Sequence, residues 1–242
     1  MRHDRLSVLT ALETQGVVPV FYHPDQEVCA EVIRACARGG AKAIEFTNRG
    51  DFAWETFTAL SKEFSRTDPG IIMGVGSILD APTAALYLAS GARFVISPCL
   101  VPDVAKVCNR RQVAYSPGCG SVRDISEAQE LGCEIVKLFP GASVGGPDFV
   151  KAVLGPMPWS KIMPTGGVDP DEASIAKWFG AGIVATGMGS KLITEAAIQA
   201  RDWAGIEAKV RQTVEAIAAF RAKGCPSPSP SETALKGTSD NA

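Results

Sequence analysis

Residues 71–98, IIMGVGSILDAPTAALYLASGARFVISP, pack two apolar runs and a helix-forming segment into 28 residues. The runs at 71–76 and 94–98 are short, rich in β-branched and aromatic side chains, and end on Gly76 and Pro98. Between them lies an alanine- and leucine-rich stretch that opens on Asp-Ala-Pro and stops at Ser-Gly. Such a strand, helix and strand read as one βαβ unit, whose two strands must be parallel because the helix carries the chain back.

The same unit recurs in both directions. Upstream, VVPVFY (17–22) precedes PDQEVCAEVIRACARGG, where Val28, Val32, Ile33 and Cys36 recur at helical spacing, and AIEFT (43–47) precedes a helix from Phe52. Downstream come FVISP with VPDVAKVCNRRQ, VAYSPG (113–118) with SVRDISEAQELG, and EIVKLFPG (134–141) with GPDFVKAVLG. KIMPTGG (161–167) with DPDEASIAKWFGAG and IVATGMG (183–189) complete the series, before a last helix expected from about 194 to 222. Eight strand-helix units predict a single-domain α/β protein, a (β/α)8 TIM barrel over residues 1–224. The structural alternative is an open α/β sheet, which usually shows fewer units or a GxGxxG turn. Residues 225–242 are rich in Ser and Pro and are expected to be a disordered tail.

Composition narrows the function classes. With 46% hydrophobic and 21% charged residues the chain is not globally disordered. A formal net charge of -2, mixed along the sequence, supplies no basic stripe for nucleic acid and no polybasic membrane anchor. No segment approaches the length of a bilayer span and the first 22 residues lack a secretory pattern, so a cytoplasmic protein is expected. The seven cysteines are scattered without a CxxC pair and read as reduced thiols. The two histidines, His3 and His23, have no ligand-like neighbours in the sequence, which argues against a histidine metal site.

Strand parity then selects side chains. In EIVKLFP, Val136 and Leu138 should face the helices while Ile135, Lys137 and Phe139 share the barrel interior. In AIEFTNRG, Ile44 and Phe46 should face outward, leaving Ala43, Glu45 and Thr47 inside with Arg49 just beyond. A lysine and a glutamate thus enter one cavity from separate strands. They could form a buried ion pair, or the lysine could snorkel out of the barrel mouth. Alternatively, a partly desolvated amine, freed of its proton, could attack a carbonyl. Glycine-rich strand ends add a second constraint: PTGG (164–167) and GMGS (187–190) close adjacent strands and favour a phosphate site. GVGS (74–77) lies nearer Glu45, and Ser77 is expected to bind a small polar group such as a carboxylate.

With these residues in place, the sequence resembles the class I 2-keto-3-deoxy-6-phosphogluconate (KDPG) and 4-hydroxy-2-oxoglutarate (KHG) aldolases. The shared motifs run in order over about residues 10–195: VVPV, EFTNRG, GVGSIL, ISPCL, SPGCGS, VKLFPG, MPTGG and GMGS. The resemblance implies a Schiff-base lysine at Lys137 and an acid/base residue at Glu45. It further implies carboxylate binding by Arg49 and Ser77, a Thr165 that lines the substrate chain, and Phe139 beside the lysine. Gly166, Gly167, Gly189 and Ser190 match the phosphate-binding positions. Met188 stands where relatives often carry glycine, and Lys191 follows the serine, so the phosphate cup could be narrowed or strengthened. A pyruvate-releasing carbon-carbon lyase without metal or diffusible cofactor, assembled as a homotrimer, is the implied function. The rivals are a phosphosugar epimerase or isomerase on the same barrel, and a non-catalytic phosphosugar-binding protein.

Overall fold

The computed structural model describes residues 3–224, so the expectation for the tail lies outside the described residues. Strands and helices alternate as anticipated: β1 (Val17–Phe21), α2 (Gln26–Arg38), β2 (Ala43–Thr47), α3 (Ala53–Thr67), β3 (Ile72–Gly76), α4 (Ala81–Ala89), β4 (Phe94–Ile96) and α5 (Pro102–Arg111). The chain continues through β5 (Ala114–Ser116), β6 (Gly118–Cys119), α6 (Val122–Glu130), β7 (Ile135–Leu138), α7 (Gly146–Leu154), β8 (Lys161–Pro164), α8 (Glu172–Phe179) and β9 (Thr186–Met188). Ahead of all of these lies α1 (Arg5–Gln15), and behind them α9 (Glu195–Gln199) and α10 (Trp203–Ala222).

All strand pairings are parallel. One sheet runs β5-β4-β3-β2-β1-β9 and the other β6-β7-β8. Two joints close them into a barrel. β5 and β6 are halves of one stave parted at Pro117, whose carbonyl accepts from Lys137 N–H at 2.9 Å. Thr165, just past β8, bridges to Gly187 in β9. Nine strands therefore make eight staves.

The two faces of the barrel carry separate apolar layers, as parity requires. Ile44, Phe46, Val136 and Leu138 pack into the helix-facing layer. Ala43 and Ile135 join Val18, Ile72, Phe94 and Met163 in the interior. That interior is stoppered by α1, whose Val8, Leu9 and Leu12 recur at helical spacing behind the Asp4 cap. Leu12 is fully buried there, and truncating such a leucine to alanine typically costs about 2–5 kcal/mol. Arg5 fixes the stopper to the opposite wall through Glu134 at 2.8 Å and Asn109 at 2.7 Å.

Capping residues set where several helices begin. Asp25 accepts from the N–H groups of Glu27 and Val28, and Asp80 from Thr83, contacts typically worth about 1 kcal/mol each. The last helix departs from expectation. It is broken between α9 and α10, where Arg201 takes a left-handed backbone with φ of 52° and Asp202 caps α10 by accepting from Gly205 N–H. An Asp directly before the apolar Trp203 was a readable start signal within the expected 194–222 span. Among the described residues no helix is long and apolar enough to cross a membrane. The six described cysteines are free, and five of them are buried.

Candidate active site

Glu45 and Lys137 enter the barrel from opposite sides. Their staves, β2 and β7, are four steps apart whichever way the closed barrel is travelled. Both side chains are buried, at 1% and 6% exposure. The sequence placed them inside by alternation alone, and the interior packing of Ala43 and Ile135, two residues earlier on each strand, agrees.

They do not form the structural ion pair considered as the bland alternative. Among the described residues Lys137 has no carboxylate within 4 Å and no side-chain hydrogen bond; its Nζ lies 4.8 Å from the Phe139 ring centroid. Phe139 thus packs beside the lysine. Glu45 Oε2 is buried without a hydrogen-bond partner. Burial raises the Glu45 pKa above its ordinary 4.5, and the positive charges of Lys137 and Arg49 oppose that rise without cancelling it. A carboxyl group held in this way keeps a proton more readily than an exposed glutamate.

Immediately above the pair is an open cavity of about 510 Å³ at the C-terminal ends of the strands, where barrels of this kind assemble their chemistry. Thr47, Arg49 and Thr165 line it. Glu45 is two residues before Thr47 on β2. Lys137 pairs in register with Met163, two residues before Thr165. Both therefore sit one pleat deeper than the cavity wall and are not part of its lining, nor are Ser77 and Phe139. Ser77 follows β3 on the stave beside Glu45, half-buried, with a left-handed φ of 62°.

The expected phosphate-binding positions converge on the same cavity. Gly166, Gly167, Gly189 and Ser190 all line it. Gly166 and Gly167 adopt φ of 91° and 86°, a backbone open to glycine at little cost. The turn is tied to the β7–α7 loop, since Gly141 N–H donates to Thr165 O at 2.9 Å and Ala142 N–H to Gly166 O at 3.1 Å. Trp178 Nε1 donates to Gly167 O at 3.1 Å. With the carbonyls so engaged, the N–H groups of Gly167, Ser190 and Lys191 donate to no backbone acceptor among the described residues. Such a cluster of free donors suits an anion.

Two concerns raised by the sequence resolve in different ways. Met188 is buried in the helix-facing layer, so its bulk is directed into the core although its backbone borders the cavity. Lys191 lines the rim and pairs with Asp169 at 3.5 Å. Tyr22 and Glu195 also line the cavity and were not singled out from sequence. Tyr22 directly follows β1, and its position at a strand end was the available signal. Thr165 Oγ1 is buried without a partner, and the absence of a side chain at Gly187 leaves it room. Among the described residues no group of three or more His, Cys, Asp or Glu side chains is placed to hold a metal ion.

The chain matches the family model described as KDPG and KHG aldolase over residues 8–209. A 2-dehydro-3-deoxy-phosphogluconate aldolase of Pseudoalteromonas atlantica is 31% identical over 206 residues, covering 85% of this chain and 93% of the relative. The KHG/KDPG aldolase of Escherichia coli is 29% identical, with 89% and 98% covered. Among solved structures, KDPG aldolase from Legionella pneumophila with pyruvate captured as a covalent carbinolamine intermediate superposes with a TM-score of 0.77 at 26% identity, covering 86% of this chain and 96% of that one. A match spanning nearly the whole barrel, on a fold with these side chains at its mouth, means that this chain belongs to the KDPG and KHG aldolase family.

Proposed function

We infer that this chain is a class I aldolase that cleaves 2-keto-4-hydroxy acids to pyruvate and an aldehyde. The aldehyde is glyceraldehyde 3-phosphate from KDPG, or glyoxylate from 4-hydroxy-2-oxoglutarate. The observation that carries this reading is the pair of buried, mutually unbonded groups, Lys137 and Glu45, facing each other beneath one open cavity.

In the proposed sequence the neutral Lys137 amine attacks the C2 ketone to give a carbinolamine, which loses water to form an iminium. Glu45 delivers and removes the protons of these steps, directly or through water, and its raised pKa suits both duties. The iminium then accepts the electron pair of the C3–C4 bond. As that bond breaks, Glu45 takes the C4 hydroxyl proton and the aldehyde departs. Return of a proton to C3 of the enamine restores an iminium, and hydrolysis frees pyruvate and the lysine amine. Electrons and protons balance without an external oxidant, metal or cofactor.

Arg49 and Ser77 are assigned to the substrate carboxylate and Thr165 to its chain. The free N–H groups of Gly167 and Ser190, with Gly166 and Gly189 shaping the turns, are assigned to a terminal phosphate. Lys191 at the rim adds positive charge to that end of the cavity. The catalytic unit comprises residues 1–224, acting as a cytoplasmic homotrimer, a part of the proposal that rests on the family resemblance and the free thiols. Pyruvate release from KDPG in a dehydrogenase-coupled assay, lost on Lys137→Arg, is the direct test. Binding without pyruvate release would favour a non-catalytic phosphosugar-binding protein instead.

A further inference from the structure

Arg49 stands in the turn between β2 and α3, exposed, with no hydrogen bond or ion pair to another described residue. A long side chain on a loop is mobile by default, so any precision in its placement has to come from the backbone that carries it. Both neighbours of Arg49 are held, each by a tyrosine.

On the N-terminal side, Asn48 N–H donates to Gly76 O at 2.9 Å, which extends the β2–β3 ladder by one residue. Its side-chain Oδ1 accepts from the Tyr87 hydroxyl at 2.9 Å. On the C-terminal side, the Tyr22 hydroxyl lies so close over Gly50 that a Cβ there would overlap it. The two phenols are ends of one chain of rings. Tyr22 packs on Phe46 at 5.6 Å, Phe46 on Phe57 at 5.9 Å, and Phe57 on Tyr87 at 5.1 Å between centroids. The loop after β1 together with β2, α3 and α4 is thereby tied to the backbone on both flanks of a single arginine. Tyr87 is 1% exposed, and burial pushes its pKa up to about 12, so its hydroxyl stays a donor at any working pH.

We propose that Tyr87 and Tyr22 are positioning residues that bracket Arg49 through Asn48 and Gly50, and so set where its guanidinium meets the carboxylate of the 2-keto acid. The proposal rests on the reading of Arg49 as the carboxylate anchor of an aldolase. Neither tyrosine is asked to touch a reacting atom. A purely architectural bond between α4 and the turn would make a different prediction, because its loss would lower stability and leave substrate affinity alone.

The test measures KM and kcat for pyruvate release from KDPG in the parent, Tyr87→Phe, Asn48→Ala and the double variant. Borohydride trapping of saturating pyruvate is run on each. Losing one oriented hydrogen bond is expected to raise KM about tenfold, with kcat changed less than about twofold. The double variant should be no worse than either single one, since both remove the same bond. The acid limb of the kcat/KM pH profile should also move upward, because Arg49 helps to lower the Glu45 pKa. Gly50→Ala, which displaces Tyr22 on the other flank, should raise KM in the same way. Parent protein that traps pyruvate on Lys137, while Tyr87→Phe and Asn48→Ala keep parental KM, would overturn the bracket alone. Parent protein that traps no pyruvate would overturn the aldolase reading and the bracket with it.

Discussion

Glu45 occupies space that exists because residue 76 has no side chain: a Cβ built on Gly76 would overlap Glu45 Oε1. The two residues sit on adjacent staves, with Gly76 pairing in register with Thr47, so β3 shapes the pocket in which the carboxyl group is held. Gly76→Ala should therefore displace Glu45 while leaving the helix-facing core untouched. Displacing an acid/base group of this kind is expected to cost about 10²–10⁴ in kcat. Coupled measurement of pyruvate release, beside a circular dichroism spectrum matching the parent, checks this. Parental kcat in that variant would show that Glu45 need not occupy this position.

Removing the carboxyl charge has a stability signature as well as a kinetic one. The folded-state pKa of Glu45 lies above the unfolded value near 4.5. Between those two values the native state holds more protons than the unfolded one, so stability falls as pH rises through that window. Glu45→Gln abolishes this loss. The variant should melt higher than the parent at pH 8, and the difference should shrink toward pH 4, as followed by thermal unfolding. Its pyruvate release should fall at all pH values. A melting difference that grew toward acid pH would contradict the burial argument.

The rim lysine should act on one class of substrate only. Lys191 pairs with Asp169 at 3.5 Å with both side chains largely solvated, and such pairs add little to folding. Lys191→Met should leave the melting temperature unchanged. It should raise KM for the 6-phosphorylated keto acid by about three- to tenfold, as expected for one lost charge-assisted contact. KM for the unphosphorylated acid should stay at the parental value. Equal KM changes for both substrates would remove Lys191 from the phosphate end.

Much of this architecture was legible because parallel barrels write themselves as a strict alternation, and because a charged residue in a buried strand stands out against its neighbours. Lys137 and Glu45 were found by parity, which depends only on the period of the strand. What escaped had no period to read. The closing bridge from Thr165 to Gly187 depends on how the staves curve together, and the stave broken at Pro117 read as one continuous run. The helix α1 carries its apolar residues at helical spacing, yet nothing in the string says that it stoppers the barrel. Tyr22 and Tyr87 are 65 positions apart in sequence, and only folding brings them to the two sides of Arg49.

Sodium borohydride reduction in the presence of pyruvate, followed by peptide mass mapping, bears most directly on the central claim. A stable pyruvate-derived adduct on the peptide carrying Lys137, absent from Lys137→Arg, is the expected outcome. An adduct confined to another lysine, or no adduct in a protein that still releases pyruvate from KDPG, would contradict the Schiff-base account.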